Sequence, residues 1–447
     1  MDAAGAGSHA RGMDASFSPR RWWTGPLDVE RLALESVAEA VDAVRDLAAV
    51  RGCSIPVETS PALVAASFDA IGHLRVDGRA ATGWAPLSGF FRTSDGWVRT
   101  HANYPHHRLA LQTALGLRAA PADGGDGADS ARLREALQAR TARDVEEAVT
   151  AAGGIAVAVR TPDEWAAHPQ AQATASDLWV RTEAAGERPA PGRVASREDC
   201  RPLLAGVRVL DLTRVIAGPS CTQLLACLGA DVLRVDPPAR PELEDQHLST
   251  GMGKRSAVAD LGARGDALED LLAAADVVVL GYRPGSLDRF GLAPERLRER
   301  FPRTVVASLS AWGAHGPWAR RSGFDSIVQA ASGIAALCAD PREDDGRPGA
   351  LPVQALDHAT GYRMAAGILS LLAQGRAGTV TASLLGAART LMSLQTPPEL
   401  EPGVLPVPLA ETAWESGRLT AVPPPVTVDG RTLERPVGAY GGSPLAW

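Results

Sequence analysis

GVRVLDLTRVIAGPSCTQLLACLGADVLRVD, residues 206–236, sets an apolar run of strand length, a helix-compatible stretch ending on Gly229 and a second apolar run in succession. A strand that is apolar on both faces needs cover on both, and a helix between two such strands is the crossover that parallel pairing requires. The alternation continues through SAVADL (256–261), ALEDLLAAA (267–275), DVVVL (276–280) and TVVASLS (304–310). It closes with a long helix from about Phe324 to Leu337, the strand TVTASLL and the helix LGAARTLM. The expected fold class is α/β, a doubly wound, mostly parallel Rossmann-like sheet, with a smaller α+β domain beside it.

That smaller unit is read upstream. Residues 1–24 are Gly, Ala and Ser with scattered charge and are expected to be disordered. Residues 25–84 form a helical segment: Leu27 to Val50 repeats apolar residues at three and four spacings, and a second helix is expected around Ser60 to Ile71. FFRTSDGWVRTHANY (90–104) reads as a hairpin turning at Asp95-Gly96, followed by a helix from His107 to Leu115. PADGGDGADS (121–130) is expected to be a flexible loop, after which a helical pattern runs to Gly153-Gly154. Residues 85–190 thus make the small α+β domain, 191–202 a linker and 203–395 the large domain. Residues 396–447, with three consecutive prolines at 423–425, are expected to be an extended tail over another surface.

The 447 residues carry 45 Lys plus Arg against 52 Asp plus Glu, a net charge of −7. That balance excludes a protein that coats nucleic acid, which needs a basic face. Five cysteines, odd in number and without a C-x-x-C pair, suggest neither a disulfide framework nor a zinc ribbon, so a reducing compartment is expected. No leader-like apolar stretch opens the sequence and no run of eighteen apolar residues follows, so the expectation is a soluble, cytoplasmic protein without membrane contact.

Candidate chemistry narrows quickly. The turn after the first strand reads DLTRVIAGPSC and lacks the G-x-G-x-x-G of a dinucleotide site, and no G-x-S-x-G elbow supports a serine hydrolase. GMGKRS (251–256) matches a phosphate loop only superficially, since Arg255 follows Lys254 where Ser or Thr is needed. His101, His106 and His107 cluster at a spacing that fits no metal-ligand set, and a surface cluster at the hairpin edge is the better account, so no metal is expected. LPVQALDHATGYRMAAGILSLL (351–372) opens an apolar helix with Asp357. On local sequence Asp357 is an N-cap, but a carboxylate there also suits a nucleophile, kept ionised by the helix dipole with amide N–H groups near an oxyanion.

Five blocks taken together resemble the family III CoA-transferases, the formyl-CoA transferase and carnitine CoA-transferase group. They are LLAGVRVLDLTRVIAGPSCTQLLACLGADVLRVDPP, GKRSAVADL, ADVVVLGYRPGSLDRFGL, SLSAWGAHGPWARRSGFDSIVQAASG and ALDHATGYRMAAGILSLL, in the family's order across 203–395. RTSDGWV and AAGGIAVAVRTPDEWAAHPQ resemble that family's small domain, which here precedes the large one, as in a permuted chain. The resemblance implies Asp357 as the catalytic carboxylate, passing through aspartyl anhydride and aspartyl-CoA. It implies Val215, Ile216 and Ala217 along the CoA thiol arm, Ala259 and Tyr282 at its adenine end, and Arg289, Lys254 and Arg255 at its phosphates. It further implies acyl-CoA and a small carboxylic acid as substrates, no tightly bound cofactor, and an interlocked homodimer. Two other readings stand beside it: an α-methylacyl-CoA racemase, whose histidine position is Phe324 here, with His358 the conceivable substitute, and a non-catalytic CoA-binding partner subunit.

Overall fold

The computed structural model describes residues 21–117, 125–190, 192–194, 200–263, 265–342, 345–395, 401–414 and 417–447. Its largest sheet has seven strands in the order Lys254–Val258, Asp231–Asp236, Arg208–Leu212, Val277–Leu280, Val305–Ser310, Arg376–Ser383, Val180–Glu187. Six pair in parallel, and Val180–Glu187 closes one edge antiparallel. Val277, Val278 and Val279 are fully buried because helices cover both faces, which is why this strand reads as an unbroken apolar run. After the edge strand Val180–Glu187, the parallel strands begin in the middle of the sheet at Arg208–Leu212, build outward to Lys254–Val258, then return to the other side at Val277–Leu280. That reversal puts a topological switch point at the carboxyl ends of Arg208–Leu212 and Val277–Leu280, the place where open α/β sheets take their ligands.

Helix Ala355–Ala373 is buried against one face of this sheet and is itself covered by helix Val29–Val50. The stripe Leu32, Val37, Val41, Val44 and Leu47 is buried at the spacing the sequence shows, each large residue contributing about 1.5–3 kcal/mol. The second expected helix is present as Pro61–Phe68 followed by the short turn Ala70–His73. The hairpin is formed by Gly89–Arg92 and Trp97–Thr100, with Ala156–Ala158 as a third strand, and helices Pro105–Ala114 and Ala142–Ala151 pack on it.

Several expectations change. Residues 1–20 of the expected disordered segment lie outside the described residues, but Trp22 and Trp23 pack on the core and donate their N–H groups to Glu30 Oε1 at 3.0 and 2.7 Å. Of the expected loop at 121–130, residues 121–124 lie outside the described residues, and from Gly125 the chain is already in helix Gly125–Gln138. Asp129 anchors that first stretch by pairing with Arg108 and Arg132, a long-range contact that outweighs the glycines. The helix expected over 324–337 is two, Asp325–Ser332 and Ile334–Leu337. Gly333 breaks it at φ 95°, where a Cβ would lie 2.6 Å from the Pro162 nitrogen.

The Pro-rich tail is also more structured than expected. Ala410–Trp414 and Gly417–Ala421 form a hairpin that pairs with Arg75–Val76, so the tail and the N-terminal segment share one small sheet. Further on, Val437 bridges Met252 and Trp447 Nε1 donates to Leu271 O at 3.0 Å.

The cysteine reading is corrected. Cys53 and Cys200 are disulfide-bonded across 147 residues of sequence, tying the end of helix Val29–Val50 to the segment that leads into the large sheet. No local spacing announces such a pair, because the fold brings the two Cα atoms to 5.6 Å. Cys221, Cys227 and Cys338 are free. Thiol titration of the unfolded, unreduced chain should therefore count three thiols, rising to five after reduction; five before reduction would refute the bond.

Candidate functional site

Asp357 lies in the first turn of helix Ala355–Ala373, but the N-cap is Gln354, so the capping role expected from local sequence is not what places it. The first-turn amides are satisfied from another helix. Asp325, the first residue of Asp325–Ser332, accepts the Asp357 N–H on Oδ2 at 3.0 Å and the Leu356 N–H as well. Gln329 donates to the other Asp325 oxygen and accepts the Leu351 N–H at 2.9 Å, which fixes the carboxylate from both sides. The Asp357 side chain, 5 % exposed, accepts no hydrogen bond among the described residues.

Two buried carboxylates side by side cannot both ionise cheaply. Burial, and then the charge of Asp325, push Asp357 well above the ordinary carboxylate range. Burial raises Asp325 to about 6 against the hydrogen bonds it accepts. The expectation that the helix terminus alone keeps Asp357 ionised is therefore corrected: Asp325 has taken the amides, and desolvation wins.

Across from this pair, Val215 occupies φ 68°, a left-handed conformation that costs a β-branched residue roughly 1–3 kcal/mol. Its N–H is held by Glu242 Oε2 at 3.1 Å. Ile216 and Ala217 follow as the N-cap and first residue of helix Ala217–Cys227. This turn meets the Asp357 helix directly at Gly361, where a Cβ would lie 2.4 Å from Ala217 O, so only glycine permits the approach. Asp357 and Gly361 are four residues apart and share one helix face, which brings the carboxyl to the turn's side of the helix.

The remaining candidates divide. Ala259 and Tyr282 follow the carboxyl ends of Lys254–Val258 and Val277–Leu280 and belong to one apolar cluster, with the Tyr282 hydroxyl buried and without a hydrogen-bond partner among the described residues. Arg289 sits in the turn Asp288–Phe290 with its guanidinium 4.6 Å from the Phe290 ring and no ion pair among the described residues. Lys254 and Arg255 are placed otherwise than expected. The Lys254 ammonium is buried, 3.2 Å from Asp211 and 2.8 Å from Pro219 O, a strut between the first strand and the helix after it. Arg255 grips Asp231 at 2.8 and 3.0 Å and donates to Ala446 O. Lys254 is occupied internally by Asp211 of the next strand but one, and Arg255 by Asp231 of the adjacent strand.

The histidines were misplaced by the sequence reading. His101 is 4 % exposed, its ring stacked on Phe324 with centroids 4.0 Å apart, and His107 lies edge-on to both. Phe324 covers His101, so the expected surface cluster is buried at His101 and only partly exposed at His106 and His107. His358 is buried against Phe68 and Tyr362, with Nδ1 3.4 Å from Ser220 Oγ. Phe324 itself carries no titratable proton.

Burial keeps four imidazoles neutral far below their ordinary value: His101 and His358 to about 3, His107 to about 2, His247 to about 4. As pH falls through 6.5 the unfolded chain protonates these four imidazoles, and His106 and His168, which burial also lowers, more readily than the native chain, while Asp325 and Asp357 let the native chain hold at most two protons that the unfolded chain has lost. The imidazoles refused outnumber the two carboxyl protons held, so stability falls as pH drops from 6.5 to 5.5. Urea midpoints at the two pH values test this, and an unchanged midpoint would refute the neutral assignment.

The sequence profile of CoA-transferase family III matches residues 59–199 and 204–415. The succinate–glutarate CoA-transferase of Agrobacterium fabrum is 32% identical over 254 residues, 52% of this chain and 62% of that protein. The formyl-CoA:oxalate CoA-transferase of Streptomyces coelicolor is 36% identical over 184 residues, 38% of this chain and 44% of the relative. A probable fatty acyl-CoA transferase of Mycobacterium tuberculosis is 36% identical over 184 residues, 38% of this chain and 46% of its own. Its crystal structure aligns at 34% identity over 42% of this chain and 55% of that one, with a TM-score of 0.39. The aligned stretches thus span about half the length of the relatives they match. No described helix is long and apolar enough to cross a membrane.

Proposed function

Because the chain belongs to CoA-transferase family III, we propose that it moves coenzyme A from an acyl-CoA thioester to a carboxylic acid, with Asp357 as the nucleophile. The observation that carries the reading is a buried carboxyl that accepts no hydrogen bond among the described residues, on a helix that meets the 215–217 turn in close contact at Gly361. A group so costly to bury and so little used by the fold is held for chemistry.

In this reading the thiol arm of CoA lies along Val215, Ile216 and Ala217, with Ala259 and Tyr282 toward the adenine and Arg289 toward the phosphates. The carboxyl pair carries one negative charge, and the form with Asp357 ionised and Asp325 protonated is the nucleophile. An Asp357 oxygen attacks the thioester carbon, the C–S bond breaks, and an acyl-aspartyl anhydride and CoA thiolate result. The thiolate attacks the aspartyl carbonyl, releasing the donor acid and leaving aspartyl-CoA. The acceptor carboxylate attacks in turn to give a second anhydride, and the thiolate takes the acceptor's acyl carbon and frees Asp357. Each step keeps the thioester's energy in an activated acyl bond.

The test is CoA exchange between a panel of acyl-CoAs and acids, with hydroxylamine present during turnover. The reading expects new acyl-CoA and a hydroxamate on the Asp357 peptide. A label on Cys221 or Cys227 instead, or hydrolysis without exchange, would overturn it.

A further inference from the structure

The helix start that carries Asp325 has an unusual neighbour. His101 follows strand Trp97–Thr100, where its N–H is anchored on Ile155 O at 3.0 Å and its ring lies flat against Phe324. Phe324 is the N-cap of helix Asp325–Ser332, so the imidazole lies beside the residue that precedes Asp325. Buried as it is, its Nδ1 has no hydrogen-bond partner among the described residues beyond its own backbone, nor has the Nδ1 of neighbouring His107 or the Nε of buried Arg99 a partner among them. Arg99, two residues before His101, is close enough for its charge to act on Asp325. A buried polar atom left unpaired in a native fold calls for an explanation.

The reaction supplies one. When Asp357 adds to a thioester, the carbonyl π pair moves onto oxygen, and the nearest backbone donors are already committed. The Ala355 N–H is held by Val353 O at 2.8 Å, and those of Leu356 and Asp357 by Asp325. The developing oxyanion therefore needs a donor from outside this helix. We propose that His101, as a neutral imidazole, donates its Nδ1–H to the acyl oxygen that turns negative in each tetrahedral addition at Asp357. The proton stays on nitrogen throughout, and the electron pair returns to the carbonyl as the C–S or C–O bond breaks. Desolvation holds the ring neutral down to about pH 3, so it presents a donor without competing for the nucleophile's proton. A preorganised donor in a dry site stabilises such charge most effectively.

This rests on the CoA-transfer reading, and the experiment separates the two. His101→Phe keeps an aromatic ring on Phe324 and removes the donor. His101→Asn loses the ring and keeps an N–H near the Nδ1 position. The expectation for His101→Phe is a fall in kcat of about 10²–10³-fold with KM for acyl-CoA within about threefold, and for His101→Asn a kcat within about tenfold of wild type. The opposite order, with Phe active and Asn silent, would mean that packing is what matters and would overturn the proposal. So would α-proton exchange of acyl-CoA in deuterated water that His101→Phe abolishes, which would make the ring a base. In the wild-type chain, the ¹⁵N resonance of His101 Nδ1 should report a protonated nitrogen that shifts on adding a non-reacting acyl-CoA thioether; an unprotonated Nδ1 rules the donor out whether or not the variants fold. Wild-type protein without transfer from any acyl-CoA removes both readings, whereas transfer that needs Asp357 but not His101 removes this one alone.

Discussion

Asp357→Asn should lower CoA transfer by at least about 10³-fold while the variant unfolds at higher denaturant than wild type. The two outcomes share a cause. Asparagine keeps the volume and the helix but cannot form an anhydride, so every covalent step stops. The same change removes a buried carboxyl that accepts no hydrogen bond among the described residues and lies beside Asp325, whose charge disfavours its ionised form. At neutral pH the unfolded chain ionises freely and the native chain does not, so relieving this should stabilise by about 1–2 kcal/mol. Acyl-CoA affinity should stay within a few-fold, since the nucleophile acts in the chemistry more than in binding. Transfer at the wild-type rate would remove Asp357 from the mechanism. A loss of stability together with activity would mean that the carboxyl serves the fold after all.

The largest expected structural effect lies at Glu242. Its carboxylate accepts the Arg234 Nη2–H at 2.8 Å, the Leu243 N–H at 2.9 Å, the Val215 N–H at 3.1 Å and the Tyr104 hydroxyl, and Arg214 lies 3.5 Å away. Its own N–H donates to the Tyr440 hydroxyl at 2.8 Å, so small unit, candidate CoA turn and C-terminal tail meet at one residue. Burial pushes the carboxyl up, but Arg234 and Arg214 outweigh it and hold it down to about 2. Glu242→Ala leaves two arginines buried without this partner and should cost about 3–5 kcal/mol, read from urea unfolding. It also frees Val215 from φ 68°, so the surviving folded fraction should show a raised KM for acyl-CoA. The depressed value fixes the pH sign: this contribution is complete above about pH 4.5 and is lost as pH falls toward 2. A Glu242→Ala protein with wild-type stability would show that the network is not closed as described.

Much of this molecule is written locally. The Val277–Val279 run, the stripe on Val29–Val50 and the carboxylate opening the 355–373 helix repeat at intervals of one to four residues, and burial acts on those intervals wherever the element finally packs. Sequence therefore determined the strand and helix alternation, the parallel sheet and the position of Asp357. Pairing across long separations was decided only by the tertiary structure, because no local pattern encodes which distant surface will exclude water from a given side chain. Cys53 meets Cys200 because the end of one helix and the approach to the sheet converge, and Asp325 rather than a residue of its own turn satisfies the helix of Asp357. Lys254 turns inward because Asp211, two strands along the sheet, waits for it. His101, polar and in a polar stretch that runs from Arg99 to His107, reads as surface until the fold lays Phe324 against it.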